Sequence, residues 1–360
     1  MMEANVRGHA LRPGPDAHAW RALFERTDYW RRPGANSADR TDAKEWSYFC
    51  VVTDVFELLL IFGVTTETRG GAHCEVPRMV AMLRDATGWS GWIESFDLGA
   101  CRAYAGELQT RFGPHSLRFD DGSYHIEING AGPLSARLTL TPESRPSLAR
   151  SVRLSSAGPM RWLVVPRLSA SGTVRAGGTS YPVMAAPAYH DRNWGQFAWG
   201  GNFSWEWIVL LPVEAAVDWT IVFMQIADRG RSQLFSRSIM AWHRHAPTRV
   251  FHAADITVTR SGVLRPGRIV KIPAVAALAA HGDASDIPAR VCIRAARGRD
   301  SLMLELRHQD YAQLCLPNDD GCGLTQLTEV RSRASVTGCV DGEPVAYESF
   351  AVAEYNHATA

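Results

Sequence analysis

Residues 45–52 read Glu-Trp-Ser-Tyr-Phe-Cys-Val-Val, and residues 55–66 read Val-Phe-Glu-Leu-Leu-Leu-Ile-Phe-Gly-Val-Thr-Thr. Both runs are dense in aromatic and β-branched residues, which favour extended backbone. The two runs therefore predict adjacent strands and mark the beginning of a sheet.

Favoured hairpin dipeptides follow on both sides of the middle of the chain. Asp121-Gly122, Asn129-Gly130 and Asp341-Gly342 each stand between short apolar or alternating runs, as in two-residue β-hairpins. After Gly201 the sequence shows the same pattern, with short strand-like runs at roughly ten-residue intervals. Long amphipathic helices do not separate these runs, so a doubly wound α/β sheet is disfavoured. The sequence predicts an all-β protein with few short helices, built as two tandem β-barrels or sandwiches.

The 360 residues exceed what one core usually organises, since roughly 150 residues is a common domain size. We expect an irregular N-terminal lead-in over residues 1–44, with one short helix around Ala17–Arg26. An N-terminal β-domain would follow over residues 45–178 and a C-terminal β-domain over residues 179–360. The boundary is placed in the Gly-rich stretch Ala176–Thr179.

Composition excludes several classes of partner. The formal net charge of +1 gives no broad positive field for a polyanion, so nucleic acid is not expected. No apolar run approaches the roughly 18 residues needed to span a bilayer, so stable membrane insertion is not expected either. The seven cysteines are scattered without a Cys-x-x-Cys pair, which favours reduced thiols and a cytoplasmic location. The oligomeric state is left open.

Residues 187–207 combine titratable side chains with four of the chain's twelve tryptophans. They read Pro-Ala-Tyr-His-Asp-Arg-Asn-Trp-Gly-Gln-Phe-Ala-Trp-Gly-Gly-Asn-Phe-Ser-Trp-Glu-Trp. An aromatic wall that excludes water can shift the pKa of a carboxyl or imidazole group into a range useful for proton transfer. Asp191 and His190 are therefore the leading acid or base candidates. Strand alternation would place Phe203, Trp205 and Trp207 on one face, where they could line a cavity.

A purely structural interpretation of this segment stays open. A Trp- and Gly-rich stretch is often a core strand with a tight turn. An Asp followed by Arg and Asn often lies in a turn where its carboxylate accepts backbone N–H groups.

The stretch Tyr189-His190-Asp191-Arg192-Asn193-Trp194-Gly195 resembles the signature of a lipocalin-like superfamily. That superfamily contains carotenoid 1,2-hydratases, AttH-like proteins and fungal decalin-forming Diels–Alderases, and tocopherol cyclases carry a similar Tyr-x-x-x-Asn-Trp-Gly. Glu45-Trp46-x-Tyr48-Phe49 and Trp162-x-x-x-Pro166 resemble earlier elements of the same proteins. The resemblance spans roughly residues 45–207.

The resemblance implies two tandem lipocalin-like domains, no cofactor, and a pocket for a hydrophobic polyene, terpenoid or polyketide. It implies Asp191 as the proton donor, His190 as its partner, and Tyr189 and Trp194 as pocket walls. Other expected substrate-binding residues are Asn193, Trp199, Phe203, Trp205, Trp207, Trp46 and Tyr48. Glu348, in a final aromatic strand, is expected to present an inward carboxylate.

No metal site is predicted, because His243 and His245 would share a strand face but lack a third ligand nearby in sequence. The sequence is compatible with three functions. The first is a cofactor-independent cyclase or hydratase of specialised metabolism, and a pericyclase is included. The second is a non-catalytic carrier of a hydrophobic small molecule. The third is an interaction module, which would require exposed tryptophans at 199, 205 and 207.

Overall fold

A computed structural model describes residues 17–32, 43–69, 72–130, 132–154, 159–214, 216–265, 269–276, 287–320 and 322–358. In these ranges the chain forms two large sheets and little helix. The helical elements are α1 (Ala17–Thr27) and two short 3-10 helices, Leu98–Ala100 and Ala253–Asp255. The predicted all-β class, with two tandem β-domains, is confirmed.

The first sheet is antiparallel, with strand order β4-β3-β2-β1-β12-β11-β9-β8-β7-β6-β5 and β10 paired to β11. Its strands are β1 (Ala43–Val52), β2 (Glu57–Arg69), β3 (Ala72–Asp85), β4 (Gly88–Ser95), β5 (Cys101–Arg102), β6 (Thr110–Phe112), β7 (His115–Asp120), β8 (Ser123–Ile128), β9 (Leu134–Pro142), β10 (Ser147–Arg153), β11 (Pro159–Ala176) and β12 (Thr179–Gln196).

The second sheet has strand order β16-β15-β14-β13-β22-β21-β20-β19-β17, and β18 pairs with β20 in parallel. Its strands are β13 (Ser204–Pro212), β14 (Trp219–Ala227), β15 (Leu234–His243), β16 (Ala246–His252), β17 (Ile256–Ser261), β18 (Val270–Ile272), β19 (Arg290–Arg297), β20 (Asp300–Pro317), β21 (Leu324–Val340) and β22 (Glu343–Ala358).

Two of the three predicted hairpin turns join consecutive strands directly. Asp121-Gly122 connects β7 to β8, and Asp341-Gly342 connects β21 to β22. Both residues of the second turn have positive φ, 52° and 80°, as a type I′ turn requires. Such a turn matches the right-handed twist of the strands that it joins.

The predicted boundary near residue 178 differs from the division that the sheets show. Residues 177–178 form the turn of the β11–β12 hairpin, and both strands belong to the first sheet. The chain leaves the first sheet after Gln196 and enters the second at Ser204. A Gly-Gly pair suits a tight hairpin as well as a linker, so composition alone misplaced the division.

The predicted helix around Ala17–Arg26 is confirmed as α1. The chain around it is more than a lead-in, because Phe24, Asp28 and Trp30 are fully buried. Phe24 and Trp30 pack into the core of the first sheet with Phe49 and Leu60. Residues 1–16 and 33–42 of the predicted lead-in lie outside the described ranges.

Three apolar cores organise the molecule. One lies inside the first sheet and another inside the second. The third lies between them and takes residues from both, including Tyr48, Tyr189, Trp205, Trp207 and Phe350. Unlike the other two, this shared core is rich in tryptophan, and it contains the candidate site.

Candidate active site

Residues 189–195 lie on β12, an interior strand of the first sheet between β1 and β11. Alternation sends Tyr189, Asp191 and Asn193 toward the second sheet and sends His190, Arg192 and Trp194 the opposite way. The signature is therefore a strand with two different buried faces. The interpretation of this stretch as a turn is wrong.

Asp191 is held by its two neighbours on the same face. The Tyr189 hydroxyl donates to Asp191 Oδ2 at 2.9 Å, and Asn193 Nδ2 donates to Oδ1 at 2.8 Å. Because both carboxyl oxygens have a partner, the side chain is fixed in orientation.

Asp191 opens into a pocket of about 50 Å³ between the two sheets. Indole rings, a phenol and aliphatic side chains make up most of its wall. The lining residues are Trp46, Tyr48, Met160, Trp162, Asp191, Asn193, Trp205, Trp207, Met224, Ile226 and Glu354. Six of the predicted site residues thus meet in one cavity.

Burial raises the pKa of Asp191 to about 8, and the nearby Glu354 adds to this rise. The Trp162 indole and the hydrogen bonds from Tyr189 and Asn193 act in the opposite direction without overcoming it. A carboxyl group with this pKa is mostly protonated near neutral pH. Asp191 can therefore donate a proton inside a cavity walled by aromatic rings.

This shift makes stability depend on pH. The folded-state pKa of Asp191 lies above its ordinary value of 3.8, so its contribution is fully present below about pH 4 and is lost as pH rises toward about 8. Because asparagine does not ionise, we expect the Asp191→Asn variant not to lose stability in this way as pH rises. The free energy of unfolding of the variant, relative to wild type, should increase by up to about 1.4 kcal/mol per pH unit across that range. Urea unfolding at several pH values measures it, and a difference that stays constant with pH would contradict the assignment.

His190 does not share the pocket with Asp191, which corrects the predicted catalytic pair. Its Nε2 lies 2.9 Å from Asp28 Oδ2, its Nδ1 lies 2.9 Å from the Tyr48 carbonyl oxygen, and its ring stacks on Phe49 at 4.1 Å. Adjacent strand residues point to opposite faces, so a His directly before a pocket-facing Asp turns away from it. His190 joins β12 to the segment after α1.

Arg192 and Trp194 lie on the same rear face. The Arg192 guanidinium pairs with Asp28 and lies 3.5 Å from Glu45, and both of its partners are buried. Trp194, predicted as a pocket wall, instead packs under the Arg31 guanidinium, 3.8 Å from the ring centroid. Burial alone would raise the pKa of Asp28, but Arg192 and His190 hold it well below its usual range.

An adjoining pocket of about 60 Å³ shares Trp46 and Glu354 with the first. Trp199 lines it beside the apolar side chains of Ile61, Val80, Leu314, Leu316 and Leu327. Phe203 does not line either pocket. Its ring stacks on that of Trp205, with 5.7 Å between the two ring centroids. Trp199, Trp205 and Trp207 are all buried, so the interaction-module interpretation loses the exposed tryptophans that it needs.

Glu348 is exposed, contrary to the expected inward carboxylate. Glu354 is the carboxylate of β22 that lines the pocket, and Trp205 Nε1 donates to it. Both residues share one face of the strand, but Glu348 lies nearer the hairpin end. Both glutamates are in phase with the buried Phe350 and Val352, so strand alternation alone would not have separated them.

Gly195, the last residue of the signature, lies where the neighbouring strand leaves no room for a side chain. A Cβ atom at this position would lie 2.6 Å from the Pro159 carbonyl oxygen and 2.8 Å from Met160 Cα. The absence of a side chain therefore lets β11 approach β12 closely beside the pocket.

Among the residues described here, no cluster of three or more His, Cys, Asp or Glu side chains could hold a metal ion. His243 stacks on Trp219 at 4.6 Å, and the His245 Nδ1 atom lies 2.6 Å from the Glu143 carbonyl oxygen. Within the same ranges, no helix is long and apolar enough to cross a bilayer.

Comparison with solved structures places this geometry in a known fold. A candidate AttH from Nitrosomonas europaea superposes with a TM-score of 0.59 at 16% identity, over 88% of this chain and 93% of that one. Kievitone hydratase from Nectria haematococca gives 0.58 at 11% identity, over 87% and 88%. CghA bound to Sch210972 gives 0.58 at 13% identity, over 91% and 94%.

The chain has the two-domain lipocalin-like fold. The fold that the sequence resemblance implied is thereby confirmed. No protein-family model matches its sequence, and no curated protein sequence matches it either.

Proposed function

We propose that this lipocalin-like protein is a cofactor-independent hydratase or cyclase that protonates a hydrophobic, unsaturated small molecule. The observation that carries the proposal is Asp191: a buried carboxyl group, protonated near neutral pH, that faces a cavity walled by tryptophan rings. Inside such a cavity the carboxyl needs only a suitably placed carbon–carbon double bond to act as a general acid.

The reaction would begin with proton transfer from Asp191 to one alkene carbon, which leaves the other carbon positive. In a hydration, a water oxygen bonds to that carbon, and a water O–H bond breaks as a base accepts its proton. In a cyclisation, a second double bond of the same chain attacks, and a C–H bond later returns a proton to the base. Glu354, on the opposite sheet but lining the same pocket, supplies that base.

The aromatic wall suits a positive intermediate. The faces of Trp162, Trp205 and Trp207 present negative π density to a cation, which is worth about 2 kcal/mol or more at a desolvated site. Tyr189 and Asn193 would stabilise the aspartate that proton transfer leaves behind, because both already donate to its oxygens. Product release then exposes the site to water for the next turnover.

The adjoining pocket fits the remainder of an apolar chain. Its wall is mostly apolar, with Trp46 and Trp199 beside the aliphatic side chains, and Arg78 pairs with Glu67 in the same lining. A polyene, terpenoid or polyketide chain of specialised metabolism would place its reactive double bond near Asp191 and its tail beyond Trp46. The neighbours with this fold include a hydratase and a protein crystallised with Sch210972, and both names are compatible with a small-molecule site.

The proposal is tested by incubating the protein with a panel of prenylated phenols, linear polyenes and polyenyl polyketides in D2O. Quenching of tryptophan fluorescence reports binding, and mass spectrometry reports conversion. We expect a product that has gained the mass of one water, or an isomer with a new ring, with one deuterium fixed on carbon. A panel member that binds tightly and is recovered unchanged and without deuterium would instead identify a carrier.

A further inference from the structure

A third carboxyl group stands behind the pocket. Glu329 lies on β21 directly opposite Glu354 of β22 in the strand register, and its side chain is fully buried. Opposed residues on one sheet face have their Cβ atoms about 4.5–5.5 Å apart. Glu329 does not line either pocket between the sheets, and its side chain interacts with that of Glu354.

No described cation neutralises this group of carboxyls. Arg331, the nearest cationic residue on the same strand face, pairs instead with Glu57 at 3.5 Å. Both oxygens of Glu329 lack a hydrogen-bond donor among the described residues. Two carboxylates placed this close in a dry interior cannot both be ionised, and one retained proton lets the first carboxyl donate to the second.

We propose that Glu329 and Glu354 share a single proton and act as one unit opposite Asp191. Glu329 is the positioning residue of this unit, and Glu354 is the member that faces the substrate. The inference rests on the proposed function for its role in turnover, but the sharing itself is a property of the free protein.

Several titratable groups pack around Glu329. Facing it are Glu354 from β22, Tyr48 and Cys50 from β1, Glu57 from β2 and Asp191 from β12. Arg331 follows on its own strand. Burial raises the pKa of Glu329 well above its usual range and Glu354 raises it further, while Glu329 and Trp205 oppose the rise that burial causes at Glu354.

A shared proton gives the pocket an acid and a base at the same time. Asp191 is the donor, and the ionised member of the pair accepts the proton from water or from carbon. After turnover Asp191 is ionised and the pair holds two protons. Transfer of one proton from Glu354 to Asp191 across the pocket restores both groups, so no outside acid or base is consumed.

Infrared spectroscopy of the ligand-free protein near pH 6 tests the sharing, because protonated carboxyl groups absorb apart from ionised ones. We expect Glu329→Gln and Glu354→Gln each to leave the number of protonated carboxyls unchanged, since the remaining partner keeps the proton. The double variant should lose one. Asp191→Asn, which should also lose one, calibrates the band, and Glu348→Gln, an exposed carboxylate, should change nothing.

A double variant that loses two protonated carboxyls, or none, would overturn the proposal. So would a single variant that loses one, because the proton would then belong to that residue alone. If a variant does not fold, a pH titration of wild-type protein with isotope-labelled glutamate replaces it, and the pair must lose its two protons in two separated steps. Any of these failures leaves Asp191 as a proton donor untouched, since no substrate is present.

Discussion

Asp191→Asn is expected to lower turnover of the true substrate about 10²- to 10⁴-fold, the usual contribution of a positioned general acid. The substitution keeps the size of the side chain and a hydrogen-bond acceptor for Tyr189 or Asn193, but it removes the transferable proton. Binding, measured by tryptophan quenching, should change much less than the rate. Steady-state kinetics on the substrate identified from the panel provides the measurement.

The matched control is Glu348→Gln, which removes a carboxyl from the surface of β22 and should leave the rate unchanged. Should Asp191→Asn turn over substrate at the wild-type rate, proton donation by Asp191 would be ruled out. The pocket would then act only by holding a reactive conformation of the chain, as in a pericyclase.

Asp28→Asn is expected to lower the free energy of unfolding by about 3–5 kcal/mol. Asp28 is fully buried and lies between His190 and Arg192, and it also accepts a hydrogen bond of 2.7 Å from the Tyr124 hydroxyl. Removal of its charge leaves the buried Arg192, within the described ranges, with the more distant Glu45 as its counter-charge. Chemical denaturation at neutral pH, followed by circular dichroism, measures the loss.

Asp54→Asn is the control for this prediction. Asp54 also pairs with an arginine, Arg333, at 2.8 Å, but its side chain is 76% exposed. Exposed ion pairs contribute about 0–1 kcal/mol, so the control should stay within that range. Equal losses for the two variants would mean that the rear face of β12 does not anchor the segment after α1.

Short strand-like runs separated by turn residues were enough to predict the fold, because residue alternation and hairpin dipeptides are local signals. Residues 45–66 and the turns at Asp121-Gly122 and Asp341-Gly342 lie where they were expected. The sheet division was missed, since a glycine pair is used in hairpins and linkers alike. The burial of Asp28 was also missed, because His190 and Arg192, which pair with it, lie more than 160 residues away in sequence.

The site was predicted in part. Sequence could bring Asp191 together with Trp205 and Trp207, which are close in the chain and rich in informative chemistry. It could not identify Glu354 or Glu329, whose role depends on the way the second sheet faces the first. His190 was misassigned even though strand alternation, applied to β12 as it was to Phe203–Trp207, would have separated it from Asp191.

The two faces of β12 imply that the heptapeptide at residues 189–195 combines two independent roles, one for each face of the strand. Its even-numbered members, His190, Arg192 and Trp194, lie on the rear face of the strand, while Asp191 is the proposed proton donor. A protein that kept the even positions and replaced the aspartate would be expected to fold in the same way and to have lost the acid. Proteins that carry this motif should therefore be grouped by the residue at the position of Asp191 before any activity is inferred.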